Sequence, residues 1–144
     1  MDGISESAAA AARDLRVVFS RLRRQLRGLA IDGDLTPSQT AVLTRLWKEG
    51  SSSAGVLAGA ERVRPQSMAT IVAALEQRGL VERTPDPEDG RRQVVSLTKT
   101  GRQRAESDRR VREEWLARAI HERYSERERR TILDALALLE RLDD

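Results

Sequence analysis

Apolar residues recur along this chain at the three- and four-residue steps of amphipathic helices, interrupted by one stretch rich in extended-chain formers. Across residues 8–30, Leu15, Val18, Phe19, Leu22, Leu26 and Leu29 fall on one helical stripe, with Arg16, Arg23, Arg24 and Arg27 off it. Gly28 and the Asp32-Gly33-Asp34 cluster break that pattern before it restarts at Thr36-Pro37-Ser38-Gln39. There Thr36 offers a cap, Pro37 suits the first helical position and Gln39 completes a capping box. The second helix is expected to bury Val42, Leu43, Leu46 and Trp47, and Gly50 supplies a left-handed exit.

Residues 51–53 read as a short polar linker, with Ser53 capping a brief helix through Ala60 whose Val56 and Leu57 point inward. After Glu61-Arg62-Val63, Pro65 opens a further helix with Met68, Ile71, Val72 and Leu75 on its inner stripe and Gly79 at its close. Residues 80–84 and 93–97 then flank the turn-heavy Pro85-Asp86-Pro87-Glu88-Asp89-Gly90, predicting a two-stranded hairpin. Thr98 or Thr100 caps a long charged helix to about residue 122, carrying Ala105, Val111, Trp115, Ala119 and Ile120. Ser125-Glu126-Arg127-Glu128 is a second capping box, and the last helix presents Ile132, Leu133, Leu136, Leu139 and Leu142. The expected class is mainly α with a small β-hairpin wing.

A short helix, a tight connection, a second helix and a hairpin between residues 53 and 97 is the order a winged helix-turn-helix requires. The second helix would enter the major groove of duplex DNA, and the hairpin would reach the adjacent backbone or minor groove. Gln66, Ser67 and Thr70 lie opposite the Met68 stripe, where they can hydrogen-bond base edges or phosphates. Ala69, Ala73 and Ala74 are small enough for close approach to the groove. At the hairpin tip, Gly90 permits a tight turn beside Arg91 and Arg92, and a projecting arginine suits a narrow minor groove. Asp89 is expected to hold one of these guanidinium groups in a bidentate pair.

The chain resembles the MarR family of winged helix-turn-helix regulators over essentially its whole length. Leu57-Ala58 followed by Val63 looks like that family's bracing helix and turn, and Leu75-Glu76-Gln77-Arg78-Gly79-Leu80-Val81-Glu82-Arg83 like its exit from the recognition helix. Asp86-Pro87-Glu88-Asp89-Gly90-Arg91-Arg92, leading to Val95-Ser96-Leu97-Thr98 and Gly101, is similar to its wing. The resemblance implies that Asp89 and Arg91 match the wing pair, and that Gln66, Ser67 and Thr70 match recognition positions. It further implies a dimer in which the first helix and the last two intertwine. The chain departs from the family at Arg62, where glycine is frequent, and at Arg64, where serine or threonine usually caps the recognition helix and where a phosphate contact is the expected alternative use.

On this reading residues 35–100 form the DNA-binding module, and residues 1–34 and 101–144 the dimerisation helices. Leu15, Leu22, Ile132, Leu136 and Leu139 exceed what so thin a protomer can bury, so they are expected to meet across a two-fold axis. Phe19, Trp47 and Trp115 are either core or the lining of a cavity for a small apolar or aromatic effector. Arg64 and Pro65 complete the candidate DNA-binding set with Gln66, Ser67, Thr70, Asp89, Arg91 and Arg92.

Composition narrows the remaining classes. Aromatic residues are 3% and charged residues 34% of 144, a balance that favours long helices over sandwiches or barrels. The formal net charge of +3 is compatible with a polyanionic partner, yet residues 61–92 carry six basic and six acidic side chains, so placement must matter more than total charge. Without cysteine and with His121 as the lone histidine, disulfides and thiol redox sensing are excluded and a structural zinc site has no ligand set; no cofactor or metal is expected. Glu113 and Glu114 are adjacent on a helix and share no focus, and no nucleophile-base pair or phosphate loop is present, so an enzyme is not expected. Neither a secretory leader nor an apolar run of about 20 residues is seen, which predicts a cytoplasmic protein with no membrane partner, nucleoid-associated when bound to DNA. The expected function is a homodimeric repressor on a pseudo-palindromic operator; the alternative is a winged-helix protein-interaction module that has lost DNA binding.

Overall fold

In a computed structural model of the protein, which describes residues 3–29 and 35–144, most helices begin where a hydroxyl accepts an otherwise unsatisfied amide. Ser5 caps α1 (Glu6–Arg27) by accepting from the Ala8 amide at 3.1 Å, so this helix starts ahead of the expected residue 8. Its expected end at Ala30 and the Asp32-Gly33-Asp34 cluster lie outside the described residues. Thr36 and Gln39 form the anticipated capping box on α2 (Pro37–Glu49). Ser53 caps α3 (Ala54–Glu61) through the Val56 amide. Thr98 precedes α5 (Lys99–Arg123) and accepts from the Gly101 amide at 3.0 Å, which settles the choice between Thr98 and Thr100. Ser125 and Glu128 cap α6 (Glu126–Glu140) reciprocally, and a short 3₁₀ turn (Arg141–Asp143) follows. At the start of α4 (Pro65–Gln77), by contrast, Arg64 makes no side-chain capping bond.

The wing is larger than the expected hairpin. β2 (Val81–Pro85) and β3 (Gln93–Leu97) pair antiparallel from Val81 opposite Leu97 to Pro85 opposite Gln93. The supposed linker supplies a third strand, β1 (Ser52–Ser53), which pairs with Val95 and Val94 to give the order β1-β3-β2. Gly50, at φ 87°, turns the chain out of α2 onto this path. Two serines carry no extended-chain signal, and backbone pairing with β3 decides their conformation.

The core gathers Val42, Leu43 and Leu46 of α2, Leu57 and Ala58 of α3, and Met68, Val72 and Leu75 of α4 against Leu80, Val81 and Val95. Each large aliphatic side chain taken fully out of water stabilises the fold by about 1.5–3 kcal/mol. Trp47 and Ile71, assigned to the inner faces, are half-buried. Val56 is not inward as expected; it is 56% exposed. Ala54, Leu57 and Ala58 stand at the i, i+3, i+4 spacing that shares one helix face, and Val56 falls outside it.

Two compact units divide the chain, Met1–Asp108 and Arg109–Asp144. Within the first, α1 buries none of its residues, and Leu15, Val18 and Phe19 are exposed. Asp108 is buried and paired with Arg104 at 3.2 Å. Within the second, α6 likewise buries none, leaving Leu133, Leu136, Leu138, Leu139 and Leu142 open, while Ile132 is half-buried. Arg129 there donates to the carbonyls of His121 and Tyr124, satisfying acceptors at the end of α5.

Candidate nucleic-acid interface

Because Met68, Val72 and Leu75 turn inward, the opposite side of α4 is left to solvent. Arg64, Pro65, Gln66, Ser67, Ala69 and Thr70 are all exposed at its N-terminal half. Ala73 and Ala74 are half-buried, so Ala69 is the one alanine of the expected trio on the open face. The Thr70 hydroxyl donates to the Gln66 carbonyl at 3.2 Å, which directs its lone pairs outward as acceptors.

The chain reaches this helix through a left-handed residue. Arg62 has φ 56° and ψ 44°, and the Val63 amide closes back on the Ala58 carbonyl at 3.0 Å. Glycine takes this conformation without cost, whereas an L side chain loses roughly 1–2 kcal/mol. The frequent family glycine and the observed backbone therefore share one cause.

At the other end, Glu76 and Arg83 form two hydrogen bonds, of 2.8 and 3.1 Å, between α4 and β2. The bonds from Arg83 hold the Glu76 carboxyl below the usual carboxylate range, and Glu76 raises the Arg83 guanidinium in return. This paired fork links the C-terminal end of α4 to β2.

The wing tip is held by its own backbone. The Asp86 amide donates to the Arg92 carbonyl at 2.9 Å and the Arg92 amide to the Asp89 carbonyl at 3.0 Å. Asp86 Oδ1 accepts from the Glu88 amide, and Asp89 Oδ1 from the Arg91 amide at 3.1 Å. Asp89 therefore shapes the turn through an Asx-type bond two residues on, and it makes no ion pair with Arg91 or Arg92, contrary to the expectation. Arg92 reaches Ser53 Oγ at 3.0 Å, the same hydroxyl that caps α3. Arg92 thus ties the wing to the bracing helix, and the exposed Arg91 guanidinium has no ion-pair partner among the described residues.

Ion pairs take up two of the six acids of residues 61–92. Arg45, which lies outside that segment, binds Glu61 at 2.8 Å and Glu49 at 3.1 Å. With Glu61 and Glu76 paired, Arg62 at the turn, Arg64 at the helix start and Arg91 on the wing stand exposed without an ion-pair partner among the described residues, while Glu82, Asp86, Glu88 and Asp89 keep their charges. Sequence reasoning missed Arg45–Glu61, Glu76–Arg83 and Ser53–Arg92. Only the second left a signal, as opposite charges flanking the helix-to-strand exit.

Of the expected effector-cavity residues, Phe19 is 59% exposed, and Trp47 and Trp115 are half-buried, with Trp115 in the second unit. Among the described residues, no acid or histidine cluster is arranged to hold a metal, and no helix is long and apolar enough to cross a membrane.

Residues 35–93 match the MarR family model. An HTH-type transcriptional regulator of Mycobacterium tuberculosis is 42% identical over 115 residues, 80% of each chain. The chain belongs to the MarR family. The NicR transcriptional repressor of Pseudomonas putida is 36% identical over 87 residues, 60% of this chain and 55% of NicR. A solved transcriptional regulator from Pseudomonas aeruginosa superposes with a TM-score of 0.84 at 33% identity, covering 97% of each chain. This MarR chain is accordingly a winged helix-turn-helix transcriptional regulator and not an enzyme.

Proposed function

We propose that this MarR regulator is a homodimeric repressor that places two copies of α4 in successive major grooves of a pseudo-palindromic operator. The observation that carries the reading is the exposed polar face of Gln66, Ser67 and Thr70, tied by Glu76–Arg83 to a wing that leaves Arg91 free. Arg64 and Pro65 border the backbone at the helix start, Asp89 sets the wing turn, and Arg92 anchors it. In this assignment residues 35–100 read DNA, and residues 1–34 and 101–144 dimerise through Leu15, Leu22, Ile132, Leu136 and Leu139. Support for the dimer comes from α1 and α6, in which no residue is fully buried within the protomer. Repression is the activity named for NicR. A small apolar or aromatic effector would relieve it by favouring a dimer with a different reader spacing, since only differential affinity shifts such an equilibrium.

Incubation with total genomic fragments followed by recovery of the retained duplexes tests the reading. Enrichment of a few sites with two-fold symmetry is the expected result. Retention of no fragment at low salt would instead favour a winged-helix module that binds protein.

A further inference from the structure

We infer that Arg62, in the turn between α3 and α4, contacts a backbone phosphate of the bound duplex; the inference rests on the DNA-binding reading above. Arg62 is the one non-glycine residue with positive φ among those described. Its backbone takes the conformation glycine favours, so nothing in the turn itself calls for a long cationic side chain. That side chain is exposed and has no ion-pair partner among the described residues. Glu61, its neighbour in sequence, binds Arg45 at 2.8 Å. Arg62 and Arg64 thus stand as two exposed cations beside the turn. In a helix-turn-helix the bracing helix crosses the sugar-phosphate backbone and the second helix enters the groove, so the connecting turn faces phosphates. An arginine there offers forked donors to an anionic oxygen and carries no sequence information.

Arg62→Gly separates this role from a structural one. Glycine relieves the left-handed backbone, so thermal unfolding of Arg62→Gly should occur at an equal or higher temperature than in the parent protein. Binding to a random-sequence duplex several helical turns long, followed by fluorescence anisotropy across a salt series, should weaken about tenfold at low salt. The slope of log affinity against log salt should fall by about 0.9 per protomer. Arg62→Asn, which tolerates the same backbone, should lose affinity alike, and Arg62→Lys should retain most of it. Arg62→Gly binding like the parent at every salt concentration overturns the assignment while leaving the DNA reading intact. A parent protein that binds no duplex overturns both.

Discussion

Gly101 lies so close to Leu80 that a Cβ added to it would stand 1.8 Å from the Leu80 carbonyl oxygen and 2.8 Å from the carbonyl carbon. That oxygen also accepts from the Thr98 amide at 3.1 Å, and the Thr98 hydroxyl donates to the Gly79 carbonyl while accepting from the Gly101 amide. The start of α5 is thus clamped against the exit of the recognition helix, with Gly101 as the residue that permits the approach.

Gly101→Ala forces backbone against backbone, where no flexible side chain can yield. It should destabilise the protein by about 3 kcal/mol, at the upper end of overpacking costs. Urea denaturation checks this, and an unchanged midpoint would show that α5 can move away from Leu80.

The two wing arginines should separate in experiment. Arg91→Ala is expected to lower the salt slope of duplex binding by about 1 per protomer without altering the wing. Arg92→Ala should instead release Ser53, so hydrogen exchange of the Val56 amide that Ser53 caps should accelerate in that variant alone. Gln66→Ala should change sequence preference by about 1–3 kcal/mol at one base position and leave the salt slope intact. Identical exchange in the two arginine variants would remove the division of labour.

Glu76 couples the fold to acid. Its carboxyl is depressed by Arg83, so the contribution of the pair is complete above the unfolded glutamate value of about 4.3 and is lost as pH falls through the lower folded value. Carboxyl carbon resonances should place Glu76 below ordinary glutamates in the parent and move it upward in Arg83→Ala. A Glu76 titration indifferent to Arg83 would contradict the pairing.

Dimerisation through the last helix predicts the outcome at Leu136, which is 52% exposed within the protomer. Leu136→Asp should weaken self-association by about thirtyfold or more, as for a buried interface anchor. Sedimentation velocity across a concentration series gives the answer; unchanged dimers would exclude this face.

Local chemistry was legible in the chain itself. Thr36 with Gln39, Ser53, and Ser125 with Glu128 mark helix starts because each bond closes within three residues, so its donor and acceptor are neighbours in sequence, whereas the choice of Thr98 over Thr100 came from the structure. The outer face of α4 followed equally from the spacing of Met68, Val72 and Leu75. The strand at Ser52–Ser53, the exposure of Val56, the tie from Arg92 to Ser53 and the approach of Gly101 to Leu80 were decided only by the tertiary structure. In the strand pairing, the Arg92 tie and the Gly101 contact, the partner lies 21 to 43 residues away along the chain, and no local periodicity records which distant backbone a segment will meet.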